Sequence, residues 1–169
     1  SAARTIGVLL WNDKSLFESF KATFERLASD ENPAVKLATL FALLPSYNIN
    51  QEWAEEQILT LYEQDYRFAG FPGTKDMLFL LYPKYREQFI SVIMNCYQAE
   101  DKDLISMGAH CLIEMYILNT EFQDVLNNVD IMSKEQAKEI LYMVNLYFNK
   151  DDFNEMSKEI ILKFKNSTL

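Results

Sequence analysis

The chain has 169 residues, 49% of them apolar, with four Gly and four Pro. That is enough for one well-buried core, and no stretch reads as a linker, so a single domain over residues 1–169 is expected. A net charge of −9, from 25 acids against 16 bases, disfavours a nucleic-acid partner, because phosphate binding needs a positive stripe. The acids outnumber the bases 12 to 9 over residues 1–98 and 13 to 7 over 99–169. The longest apolar runs, 77–82 and 38–44, are too short to span a bilayer, so no membrane partner is expected. Ser1-Ala2-Ala3 carries no signal-peptide pattern. With no Met at the start and a helical pattern from the first residues, the sequence reads as a piece of a longer protein. Cys96 and Cys111 sit among apolar neighbours, as small buried thiols do, which suits a reduced cytoplasmic setting.

In chain order, Arg4 to Trp11 reads as a helix whose Ile6, Val8, Leu9, Leu10 and Trp11 carry little charge; Ile6 and Leu10 are expected to be partly exposed or in contact with another copy. Ser15-Leu16-Phe17-Glu18 has the form of a capping box. Phe17, Phe20, Phe24 and Leu27 follow at three- and four-residue steps, one apolar stripe. Asn32-Pro33 opens the next helix, with Val35, Ala38, Phe41 and Ala42 as its expected buried face. Asn50 caps a helix over 51–64, with Ala54, Ile58 and Leu61 inward and Glu52, Glu55 and Glu56 outward near its positive end.

The segment 65–74 is irregular and holds two of the glycines; Thr74 can cap a short helix, 76–82, that leads through Pro83 into 84–97. A helix over 103–118 turns Ile105, Gly108, Leu112 and Met115 inward. A short helix near 120–127 comes next, then a second capping box, Ser133 to Gln136, before 137–148, and a last helix over 152–165. No segment alternates with period two. The fold class is all-α, with eight to ten helices.

An acidic turn followed by a helix with small residues recurs about seventy residues apart, as Asp30 to Ala38 and Asp101 to Ala109. Each copy follows an amphipathic stretch, 14–29 and 83–98. A period near 35 residues, one helix pair per period, is the signature of an α-solenoid (an α-α superhelix of antiparallel hairpins, HEAT/ARM-like).

Chemistry is sparse. His110 is the single histidine, opposite the inward positions of its helix, and Glu114 one turn on is its nearest acidic neighbour in sequence. A catalytic zinc wants three protein ligands, so no metal site is expected. Cys111 diverges from His110 by about 100° around the helix, which argues against a dyad. Gly70-Phe71-Pro72-Gly73-Thr74-Lys75 lacks the Gly-Lys-Ser/Thr order and the preceding strand of a phosphate loop. No catalytic residue and no cofactor are expected. Tyr62, Tyr66, Phe68 and Phe71, with Trp53 nearby, form the densest aromatic group outside a clean stripe, and core packing accounts for most of them. Those that reach the surface beside the acids would make an acidic-rimmed aromatic patch for a partner. The candidate contact residues are therefore Glu52, Glu55, Glu56, Tyr66, Phe68 and Phe71.

Asn32-Pro33-Ala34-Val35-Lys36 with Ala38, Phe79-Leu80-Leu81 to Tyr85-Arg86, Ile93-Met94 and Asp103 to Ala109 follow in an order and at separations that resemble HEAT-like helical repeats. More narrowly, they look like the C-terminal repeat region of large bacterial STAND/NACHT-like NTPase proteins, over roughly residues 2–148. The chain departs from the usual HEAT pattern in having Lys36 and Ser106 where an Arg follows the Val. In that family the nucleotide site lies in a separate domain, so the resemblance implies no catalytic residue here. It implies a non-enzymatic protein-interaction or sensing scaffold in a larger cytoplasmic protein, holding another protein or another domain of the parent chain. Two alternatives are a HEAT-like-repeat DNA glycosylase or other nucleic-acid enzyme, against which the charge argues, and a structural oligomerisation module.

Overall fold

A computed structural model describes residues 1–167, apart from the side chain of Asp151. Within them are eleven α-helices joined by short 3-10 segments, with no strand, so the all-α class holds and the helix number slightly exceeds the expected range. No helix among the described residues is long and apolar enough to cross a membrane. The chain divides into two compact units, Ser1–Val92 and Ile93–Leu169.

The first unit begins with α1 (Ala2–Asn12), α2 (Phe17–Ala28) and α3 (Pro33–Ala42). Ala3, Ile6, Gly7 and Leu10 recur at three- and four-residue steps and form the buried stripe of α1. Ile6 and Leu10 thus lie in the core, against the expectation of partial exposure. The capping box at Ser15 does not form. The Asp13 carboxylate accepts from both the amide and the hydroxyl of Ser15, at 2.9 and 2.6 Å, and caps the 3-10 turn Lys14–Leu16 instead. These bonds also hold the Asp13 carboxyl below its usual range. Asn32 caps α3 as read from the sequence, its side chain accepting from the amide of Ala34, with Pro33 at the first position.

The buried residues of α3 are Thr39, Leu40 and Ala42, followed by Leu43, and Phe41 is 44% exposed. The stripe expected to face the core is therefore turned by about one residue. Helix α4 (Leu44–Tyr47) packs on α5 (Gln51–Gln64), and α5 on α6 (Lys75–Leu81). Phe17 and Phe24 close on Trp53 of α5 with ring centroids 5.2 and 6.1 Å away, edge-on and tilted, a geometry aromatic pairs favour. The indole of Trp53 donates to Glu25 at 3.1 Å, so its polar edge is satisfied. Helix α7 (Arg86–Tyr97) starts two residues later than expected, because the amides of Lys84 and Tyr85 still bond back to Leu81.

The second unit contains α8 (Lys102–Asn119), α9 (Gln123–Asn127), α10 (Lys134–Phe148) and α11 (Asn154–Lys165); α10 packs on both α8 and α11. Asp101 caps α8 by accepting from the amides of Asp103 and Leu104, so the acidic turn of the second motif copy works as a helix start. Ile105, Gly108, Leu112 and Met115 are buried, as their spacing predicts. Where α8 ends, Thr120 and Phe122 both adopt a left-handed conformation (φ 56° and 60°), uncommon for residues with a Cβ. The Ser133–Gln136 capping box is complete, and the Gln136 amide also donates to the carbonyl of Tyr97 at 2.8 Å. Cys96 and Cys111 are buried thiols.

Candidate functional site

Of the six residues expected to form an acidic aromatic patch, Glu55 and Phe68 are buried, Tyr66 is half-buried, and Glu52, Glu56 and Phe71 are exposed. Asn50 caps α5 by accepting from the amide of Trp53, and from that start α5 turns Glu52 and Glu56 outward and Glu55 inward. Glu55 is only 4% exposed. Its carboxylate accepts from the Gln51 amide at 2.6 Å and lies 3.8 Å from the Lys84 ammonium, which also reaches Glu52 at 3.2 Å. Burial, and then Glu55 beside it, push the Tyr47 hydroxyl upward in pKa. Glu55 ties α4, α5 and the segment before α7 together.

Phe68, 3% exposed, is likewise core, and Tyr66 is half-buried. Phe71 alone of the three aromatic candidates stands well out, at 47%. The segment that carries it is tightly folded. Asp65 caps the 3-10 turn Tyr66–Gly70, and its carboxylate takes two bonds of 2.7 Å from the Arg67 guanidinium. Those bonds hold the Asp65 carboxyl below its usual range. Thr74, which the sequence suggests as a side-chain cap for α6, points its hydroxyl between the carbonyls of Phe68 and Phe71 instead, at 2.7 and 2.6 Å.

The apolar surface of the first unit centres elsewhere, on a groove of about 560 Å3 along α1 and α3. Arg4, Gly7, Val8 and Trp11 line one wall, and Ala38, Phe41, Ala42 and Pro45 the other. Both sets follow three- and four-residue steps, so each wall is a helical stripe adjacent to the one already buried. The floor is shallow because the helices nearly touch: a Cβ on Gly7 would lie 3.2 Å from the Cα of Ala42. Val8, Trp11 and Phe41 stand at the rim, 54, 56 and 44% exposed. Phe41 reaches the turn before α6, its ring edge 3.4 Å from where a Cβ on Gly73 would be, two residues from Phe71. Arg4 is the charged side chain along the groove, and among the described residues its guanidinium has no ion-pair or hydrogen-bond partner.

The sequence pattern places Phe41 in the core and gives Trp11 no specific role. The available signal was excess. Apolar residues at 6, 8, 9, 10 and 11 of α1, and through most of 35–42 of α3, cover more than one stripe, and a helix apolar on two faces has two neighbours to satisfy.

In the second unit His110 lies between α8 and α10. Its Nε2 is 3.6 Å from the Glu139 carboxylate and 3.4 Å from the Ser106 hydroxyl, which donates to the same carboxylate at 2.8 Å; the ring stacks on Tyr142 at 5.9 Å. A nucleophilic relay needs the hydroxyl on one ring nitrogen and the acid on the other. Here both face the same nitrogen, so the trio works as a helix-to-helix contact. Glu139, the acid of this trio, comes from α10. Among the described residues no group of three or more His, Cys, Asp and Glu side chains could hold a metal ion.

Compared with known proteins, the chain matches no family model, no curated protein and no solved structure.

Proposed function

We propose that this chain is a non-enzymatic protein-interaction module, a HEAT-like array of antiparallel helix hairpins within a larger cytoplasmic protein, and that its working surface is the groove on α1 and α3. The observation that carries the reading is the pair of uncovered stripes facing each other across a floor of small residues, with Trp11 and Phe41 at the rim. Exposed aromatic side chains beside a preformed apolar groove supply anchor sites of the kind that dominate protein–protein affinity. The acid excess points the same way, since it favours a protein partner over a nucleic acid.

A display selection against the immobilised chain tests this. Binders should be recovered that lose affinity when Trp11→Ala or Phe41→Ala is introduced, while helical circular dichroism is unchanged. Binders that are indifferent to both substitutions would place the working surface elsewhere.

A further inference from the structure

We infer that the groove on α1 and α3 receives one amphipathic helix of another protein, with a carboxylate near one end that pairs with Arg4. This rests on the interaction reading above and specifies the partner's chemistry.

The shape argument comes from the walls. From Arg4 to Trp11 is seven residues, about 10 Å or two turns of helix. The valley between two nearly touching helices, floored by Gly7, Ala38 and Ala42, has the ridge-and-groove geometry that a third helix fills. An extended strand would find no unpaired backbone there, because both walls are α-helix and use their amides internally. A helix bearing large apolar side chains at i, i+3 or i+4 and i+7 would set them between Trp11 and Phe41 and over the small floor.

The charge argument comes from Arg4. It is the charged side chain along the groove, it has no partner among the described residues, and no acid lines either wall. In a chain of net charge −9 an acidic partner is repelled by most of the surface and admitted here. A carboxylate can meet the guanidinium with two parallel bonds, so the contact fixes which way the helix lies as well as adding affinity.

The probe is a synthetic peptide of about 16 residues, long enough to form a helix on contact. It carries a leucine stripe at helical spacing and Glu at the end that meets Arg4; a second peptide carries Lys there. Binding is read from the fluorescence of Trp11, with Trp11→Phe as the control for Trp53. The Glu peptide should shift the emission to the blue, gain helicity, and bind about tenfold more tightly than the Lys peptide. Arg4→Glu should reverse that preference while the far-ultraviolet circular dichroism stays the same. Equal binding of the two peptides, or a preference that survives Arg4→Glu, overturns the inference. So does sedimentation showing that the chain fills its own groove with a second copy. If groove-dependent binders from the display selection prove neither helical nor acidic, the interaction reading stands and this inference fails alone.

Discussion

A Cβ on Gly108 would lie 2.4 Å from the backbone nitrogen of Tyr97 and 2.7 Å from its Cα, so α8 and the last turn of α7 meet main chain to main chain. No rotamer change can relieve such a clash, because the atoms in the way are backbone. Gly108→Ala should therefore separate the helices and destabilise the second unit by about 3 kcal/mol, at the upper end of overpacking costs, although alanine is the better helix former. Urea titration measures it. A Gly108→Ala chain as stable as the parent would show that the two helices can part without loss.

Tyr97 itself is 3% exposed, and among the described residues its hydroxyl has no hydrogen-bond partner. Burial pushes the phenol pKa up to about 12. Near neutrality Tyr97→Phe removes an unsatisfied polar group and should leave stability unchanged or raise it by about 1 kcal/mol. Alkali separates the two chains further. The unfolded phenol ionises near pH 10 while the folded one keeps its proton, so stability falls as pH rises from about 10 towards 12. Tyr97→Phe should remove up to about 2 kcal/mol of that loss, read from urea midpoints at neutral and strongly alkaline pH.

Asp65→Ala tests the turn before α6. The Arg67 side chain, first among the causes, holds the Asp65 carboxyl below its ordinary value. A depressed carboxylate contributes stability above its unfolded pKa, near 4, and that contribution is lost as pH falls through the folded value. The substitution should cost about 1 kcal/mol at neutral pH, the size of a lost cap. Parent and variant should converge in acid. A gap that stays constant down to the acid transition would mean that the ion pair contributes nothing.

Glu55→Ala should cost about 2 kcal/mol, because it takes from the Tyr47 hydroxyl and the Lys84 ammonium their shared carboxylate and opens space in the core. Groove binders should bind the folded variant as tightly as the parent. Weaker binding at a temperature where the variant is fully folded would return Glu55 to the contact surface.

Helix positions were legible in the sequence because local chemistry decides them. Asn32, Asn50 and Ser133 cap the helices that the sequence starts at them, and the stripe from Ile105 to Met115 is buried. The Ser15 box failed for an equally local reason, a competing carboxylate two residues upstream. Orientation was legible only where a helix is polar on one side. Helix α3 offers apolar residues all round, so its partners choose the face, and Phe41 went outward. Glu55 and His110 show the same limit for polar groups: Lys84 and Glu139, which decide their surroundings, lie 29 residues along the chain from each.

Around Thr74 one small turn is fastened from several sides. Tyr62 donates to the Thr74 carbonyl at 2.6 Å, the Thr74 hydroxyl faces two further carbonyls, and the Phe71 and Thr74 amides bond back to Phe68 and Phe71. Irregular surface segments usually surrender their amide protons to solvent first, because they open at little cost. Here the Tyr62 hydroxyl holds the Thr74 carbonyl, and Tyr62 belongs to the core of α5, so opening the turn means breaking a bond anchored in the core. In deuterium oxide the turn should label as slowly as the helices it joins, and Tyr62→Phe should release it without unfolding them. The clock of this loop is set from inside the protein.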